Sequence, residues 1–124
     1  ACRLEQGGKS KGYHCHLLVI YNGSMHCRDG YLAQCIGKLW QKQITKGDGL
    51  FFNCNQQDHK QRYQRLKKLG IGMIERKDQL AVNNAFEAIS YLALPEKNSQ
   101  YLRARLKGKR AFIKGQLLQN IVEH

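Results

Sequence analysis

The chain lacks long apolar segments and repeated segments. None of its 124 residues belongs to an apolar run of about 18 or more, the length that a membrane-spanning helix requires. It contains no internal repeat and no low-complexity tract, which excludes solenoids and compositionally biased linkers. The sequence therefore predicts a globular chain, long enough to bury a core and short enough to form one domain.

Paired cysteine spacings are also missing. The cysteines number five, and no Cys-x-x-Cys motif occurs among them. His26-Cys27 near Cys35 resembles part of a zinc site, but free thiols are the favoured interpretation without a second paired ligand motif. Free thiols fit a reducing cytoplasm better than they fit a disulfide framework.

Acidic residues are scarce. Nine Asp and Glu stand against 21 Lys and Arg, which gives a formal net charge of +12. Such an excess favours a polyanionic partner, and nucleic acid before a membrane surface. The alternative is a basic protein whose charge serves solubility alone.

The scarcity is greatest near the C-terminus, where no acidic residue occurs between Lys97 and Val122. Basic residues interleaved with aromatic ones suit a groove for single-stranded nucleic acid, because phosphates meet cations while bases stack on rings. The candidate nucleic-acid-binding residues are Lys97, Tyr101, Arg103, Arg105, Lys107, Lys109, Arg110 and Lys114. Single-stranded DNA is the favoured partner, and RNA or a protein remains an alternative. A third interpretation is a basic tail that binds no partner and only raises solubility.

Two histidines lie in the strongest predicted strand, over residues 13–21, which precedes the turn signal Asn22-Gly23. Side chains alternate along a strand, so His14 and His16 should share one face. Two imidazoles at this spacing could bind one divalent metal ion. The alternative is that they are two polar residues at the end of a strand.

The remaining pattern predicts an α+β domain. Residues 1–11 are polar and rich in glycine, which predicts a flexible lead-in to a single domain over 12–124. Helical spacing and charge patterns predict helices over 31–45, 57–69 and 78–94, and short apolar runs predict strands over 50–54 and 70–74. The helix over 57–69 should present a basic surface, which is as easily explained by solvation as by a partner.

The last of these helices places Tyr91 off its apolar face. Val82, Phe86, Ile89 and Ala93 fall within one narrow arc at 100° per residue, which should face the sheet. Tyr91 projects nearly opposite that arc. We therefore expect its phenol to face solvent or a functional site.

Several segments together resemble one family. They are Gly12-Tyr13-His14-Cys15-His16, Leu39-Trp40, Phe52-Asn53-Cys54-Asn55, Gly70-Ile71-Gly72-Met73-Ile74, Ser90-Tyr91-Leu92-Ala93, and Lys109-Arg110-Ala111-Phe112-Ile113-Lys114-Gly115. The histidine pair resembles the HUH (His-hydrophobic-His) signature of rolling-circle initiators and relaxases. The full set resembles the inovirus-type replication proteins, also called the YagK/YfjJ C-terminal domain family, over most of the chain.

The resemblance implies a compact HUH-like domain, a mainly antiparallel sheet with flanking helices, that nicks single-stranded DNA in the bacterial host cytoplasm. It implies His14 and His16 as ligands of Mg²⁺ or Mn²⁺ and Tyr91 as the nucleophile, with Tyr101 in reserve. A third ligand is needed, and Glu87 is the candidate because it precedes Tyr91 by one helical turn. The reaction would initiate rolling-circle replication of a phage or mobile element.

Two departures from the family pattern keep a second function open. Leu94 stands where the family carries a lysine three residues after the tyrosine, and the short segment before the histidine strand leaves little room for the strand that normally precedes it. The alternative is a catalytically inactive, phage- or mobile-element-encoded relative. Such a protein would bind nucleic acid, or a complex that handles nucleic acid, as a regulator or inhibitor.

Overall fold

A computed structural model describes residues 1–6, 12–93, 110 and 112–115. The chain divides into two compact units. Unit 1 comprises Ala1–Ile20 and Ile89–His124, and unit 2 comprises Tyr21–Ala88.

Unit 1 is built on a three-stranded antiparallel sheet. Its strands are β1 (Cys2–Gln6), β2 (Tyr13–Leu17) and β3 (Phe112–Ile113), in the order β2-β1-β3. The flexible lead-in expected over 1–11 therefore contains the central strand of the sheet. The expected lack of room before the histidine strand is also wrong, because β1 occupies that position and pairs with β2 along its whole length.

The pairing register determines which side chains share a face. Arg3 lies opposite His16, and Glu5 lies opposite His14. Because side chains alternate along both strands, these four residues occupy one face of the sheet. Cys2, Leu4, Cys15 and Leu17 occupy the other face. The short β3 pairs with the start of β1, with Phe112 opposite Arg3.

The three predicted helices form, with shifted ends. They are α1 (Asp29–Leu39), α2 (Gln57–Arg65) and α3 (Gln79–Ala93). Trp40–Ile44 continues α1 as a π-helical segment. Thr45 closes this segment, donating from its backbone N–H (2.8 Å) and its hydroxyl (3.0 Å) to the carbonyl of Trp40. The antiparallel sheet and the three helices together confirm the predicted α+β fold class.

The strands predicted over 50–54 and 70–74 are wrong, since no residue of 21–88 lies in a strand. In the first segment, the side chain of Asn53 bonds to backbone groups that a neighbouring strand would otherwise pair. It donates to the carbonyl of Gly30 (2.9 Å) and accepts from the backbone N–H of Asn55 (2.9 Å). In the second, Gly72 has a φ of 92°, a left-handed conformation that interrupts an extended chain. Apolar runs this short do not distinguish a strand from a packed loop.

The apolar arc predicted on α3 is wrong at one position. Phe86 is 65% exposed, whereas Leu92, outside the predicted arc, is buried. The helix begins in unit 2 and ends in unit 1, so one apolar arc does not describe the buried side of the helix along its whole length. Tyr91, next to Leu92, is 40% exposed.

The helices in the described ranges are too short or too polar to cross a membrane.

Candidate metal centre

One buried carboxylate holds the two histidines of β2 together. The Oε2 atom of Glu5 lies 3.2 Å from Nε2 of His14 and 3.2 Å from Nε2 of His16. The Glu5 side chain is only 7% exposed, while both imidazoles are partly open to solvent. The two imidazole rings are 5.5 Å apart between centroids and nearly perpendicular.

Antiparallel pairing explains why these three side chains meet. Glu5 and His14 are directly opposite, and His16 is two residues farther along the same face of β2. A directly opposite residue and a diagonal residue are the closest neighbours that a strand residue has on the adjacent strand. The cluster therefore follows from the register, and it needs no unusual backbone conformation.

Arg3 holds the carboxylate in place from the other side. Its Nε donates to Oε1 of Glu5 (3.1 Å), and its Nη1 donates to the carbonyl oxygen of Leu92 (3.0 Å). The Arg3 side chain is itself only 12% exposed. A buried carboxylate is stable in its charged form only when it is paired, and Arg3 supplies that pairing. The same guanidinium ties the sheet to the last turn of α3.

The arrangement could hold a metal ion. Glu5, His14 and His16 each offer one ligand atom, and these atoms lie within 4.8 Å of one another. Ligand atoms about 2.1 Å from one ion, at angles between 90° and 109°, lie about 3.0 to 3.4 Å apart. The two 3.2 Å separations fall in that range, and they equally allow a hydrogen bond between each imidazole and the carboxylate. Two imidazoles and one carboxylate suit a divalent transition metal.

Tyr91 lies beside this cluster. Its ring is 5.9 Å from the ring of His16, centroid to centroid, in an edge-to-face arrangement. The residue after it, Leu92, accepts the hydrogen bond from Arg3. The last turn of α3 is thereby fixed to the strand that carries Glu5, and the phenol is placed next to a candidate ligand.

The cysteines of the sheet take no part in the cluster. Cys2 and Cys15 are free thiols on the opposite face of the sheet. Burial and, to a smaller extent, the neighbouring Cys2 together raise the pKa of the Cys15 thiol to about 11. Since metals bind the thiolate, a thiol with this pKa is a poor ligand at neutral pH.

The structure adds one candidate ligand that the sequence pattern did not indicate. Glu5 lies nine residues before His14, in a segment whose glycines and charges indicated a lead-in. Its only local signal is the alternation of Cys2, Leu4 and Gln6 with Arg3 and Glu5. Glu87, the carboxylate that was predicted, is an exposed residue of unit 2, and its role stays a prediction.

Few of the predicted nucleic-acid-binding residues can be placed. Arg110 and Lys114 are exposed on either side of β3. The other candidates, together with Leu94, lie outside the described residues: Lys97, Tyr101, Arg103, Arg105, Lys107 and Lys109.

Comparisons with known proteins yield no relative for this chain. No family model, no curated protein and no solved structure matches it.

Proposed function

We propose that this protein is a metal-dependent nickase of single-stranded DNA, of the HUH type, that initiates rolling-circle replication of a phage or mobile element. One observation carries the proposal: a tyrosine lies next to two histidines and a carboxylate that could share a metal ion. A phenol beside a metal centre is what tyrosine-mediated cleavage of a phosphodiester requires.

Four residues have a role in the proposed reaction. Glu5, His14 and His16 would hold Mg²⁺ or Mn²⁺, and the ion would supply Lewis-acid polarisation of the scissile phosphate and stabilisation of the charge that develops there. The phenolic oxygen of Tyr91 attacks the phosphorus, forms a Tyr–O–P bond and loses its proton. The bond from phosphorus to the 3′ oxygen breaks, and that oxygen takes up a proton. The products are a 5′-phosphotyrosine and a free 3′-hydroxyl that can prime synthesis.

The charge of the chain supports a DNA substrate. The net charge of +12 attracts a polyanion, and Arg110 and Lys114 place two exposed cations beside the sheet that carries the centre. Five free cysteines are consistent with the bacterial cytoplasm, where such a substrate would be met.

A covalent adduct tests the proposal directly. We expect the protein, incubated with 5′- and 3′-labelled single-stranded DNA in Mn²⁺, to form an adduct that survives denaturing electrophoresis and carries only the label 3′ to the nick. Tyr91→Phe should abolish the adduct, because it removes the attacking oxygen, and should leave DNA binding intact. Tyr101→Phe is the matched control and should retain the adduct.

Three outcomes would contradict this assignment. An adduct that persists in Tyr91→Phe but disappears in Tyr101→Phe would transfer the role of nucleophile to the reserve tyrosine. An adduct that forms equally in EDTA would remove the metal from the reaction. No adduct in the wild type, over a range of single-stranded sequences, would refute the nickase.

The second candidate is an inactive relative that binds single-stranded DNA without cutting it, as a regulator. Leu94 favours it, because a lysine at that position would hold phosphate or activate the tyrosine. The other argument for it, a missing strand before the histidines, no longer applies because β1 is that strand. Salt-sensitive DNA binding without an adduct would select this candidate, and Leu94→Lys would then be the first variant to test for regained cleavage.

A further inference from the structure

Unit 2 carries a ladder of three aromatic rings, formed by Phe52, His59 and Tyr63. The rings of Phe52 and His59 are 5.3 Å apart between centroids, and those of His59 and Tyr63 are 4.9 Å apart. His59 and Tyr63 lie one turn apart on α2, so they face the same side of that helix. Phe52 is 69% exposed and Tyr63 is 39% exposed, so the ladder is open to solvent.

Cations follow this ladder along α2. Arg62 precedes Tyr63 and projects about 60° from His59 on the helix, so it flanks the rings. Lys67 and Lys68 follow within the next six residues, and all three side chains are exposed. Arg65 is left out because it projects about 160° from Tyr63, on the opposite side of the helix. Lys60 is excluded from this set because it forms an ion pair with Asp29 (2.9 Å). The only acidic residue from 57 to 68 is Asp58, in the first turn of α2.

The end of α2 fixes the last two lysines. The backbone N–H of Lys68 donates to the carbonyl of Tyr63 (2.9 Å), and that of Lys67 donates to the carbonyl of Gln64 (2.9 Å). These two bonds, with Lys67 at a φ of 55°, form a Schellman cap. Glycine is the residue that usually adopts this conformation, because a side chain there is unfavourable. The cap here keeps a lysine instead, which leaves two adjacent exposed lysines one turn after Tyr63 in the chain.

We propose that the ring ladder and these three cations form a binding surface for single-stranded DNA, separate from the metal centre. Exposed rings stack on unpaired bases of any sequence, and the cations contact the phosphates between them. Duplex DNA fits poorly, because its bases are already stacked and present no face to a ring. The choice of DNA as the strand rests on the proposed function. The surface would bind single-stranded DNA without taking part in the chemistry.

The expected affinities follow from the two kinds of contact. Stacking of one base on a ring is worth about 1 to 3 kcal/mol, so loss of both rings should raise the Kd at least about five-fold. Each phosphate contact on a single strand contributes about −0.7 to the slope of log affinity against log salt. Loss of two of the three cations should therefore make the slope shallower by about 1.4.

Fluorescence anisotropy with a labelled oligo(dT) of about 15 nucleotides tests these values. EDTA is present, so that neither metal binding nor cleavage affects the reading. The ring variant is Phe52→Leu/Tyr63→Leu, which keeps apolar bulk but removes the flat faces. The charge variant is Arg62→Gln/Lys68→Gln. Its matched control is Lys38→Gln/Lys42→Gln, which removes the same charge from exposed positions on α1 and the π-helical segment.

The ring variant should bind DNA at least about five-fold more weakly than the wild type. The charge variant should show a shallower slope of log affinity against log salt than the wild type, and its control should keep more of the wild-type slope. Unchanged binding of the ring variant, equal slopes in the charge variant and its control, or equally tight binding of a duplex would each overturn the proposed surface. If the wild type forms the Mn²⁺-dependent adduct while the ring variant binds normally, the nickase stands and this surface fails. If the ring variant binds weakly and no protein forms an adduct, the surface stands and the nickase fails.

Discussion

Replacing Glu5 with glutamine separates the two roles of this carboxylate. Oε1 accepts the hydrogen bond from Arg3 (3.1 Å), while Oε2 lies between the two imidazoles. Glutamine keeps the shape and keeps one carbonyl oxygen that can accept from Arg3. It removes the negative charge that a divalent cation needs, and it places an N–H₂ group where the second carboxylate oxygen was.

The cost to stability in the absence of metal should be modest. A hydrogen bond between charged partners contributes about 1.5 to 3 kcal/mol and a neutral one about 1, so Glu5→Gln should lose about 1 to 2 kcal/mol. Glu5→Ala should lose more, about 3 to 5 kcal/mol, because it leaves the mostly buried guanidinium of Arg3 without its carboxylate.

The cost to metal binding should be larger. Loss of a residue that merely supports a ligand weakens metal binding 10- to 100-fold, so loss of a ligand should weaken it at least about 100-fold. At a Mn²⁺ concentration of 100 times the wild-type Kd, binding stabilises the wild type by about 2.7 kcal/mol. For a chain of this length that is about 10 °C in Tm. The glutamine variant, now near its own Kd, should gain about 0.4 kcal/mol, or about 2 °C.

Thermal melts with and without Mn²⁺ measure both quantities in one experiment. His14→Ala should lose the metal-induced shift, and Cys15→Ala, on the opposite face of β2, should keep it. A full shift in Glu5→Gln would show that this carboxylate is not a ligand. No shift in the wild type at any Mn²⁺ or Co²⁺ concentration would show that hydrogen bonds alone hold the cluster together.

Three further predictions concern the packing of unit 2. Asn53→Ala should cost about 2 to 3 kcal/mol in urea unfolding, because the buried amide loses its bonds to two backbone groups. Gly37→Ala should cost about 1 to 3 kcal/mol in the same assay, since the added Cβ would overlap the ring of Phe51, and a neutral result would place that ring elsewhere. Burial opposes ionisation of Asp29, but hydrogen bonds from Asn55 and Lys60 and the Lys60 charge outweigh it and lower its pKa. The wild type should therefore lose its stability advantage over Asp29→Asn as the pH falls below about 4 and through the lowered pKa; an advantage that persists at still lower pH would contradict this.

Much of the architecture can be read from local patterns. The histidine strand and the three helices each depend on neighbours within about ten residues, and the excess of positive charge is a matter of composition alone. Periodicity reports those neighbours directly. The same patterns misassigned residues 50–54 and 70–74, because a short apolar run looks alike in a strand and in a packed loop. Hydrogen bonds from the side chain of Asn53, 23 residues from its partner Gly30, decided the first case.

The sequence by itself determined that two histidines share a strand face and that the chain is strongly basic. The third member of the cluster was decided by tertiary structure. Glu5 belongs to a segment with a weak strand pattern, and it becomes the central residue only because β1 pairs with β2 in a register that sets it opposite His14. The same holds for Tyr91, which is 75 residues from His16 in sequence and is brought beside it by the bond from Arg3 to Leu92. Alternation along a strand is a property of the backbone and can be read locally, whereas register between strands depends on the packing of the whole unit.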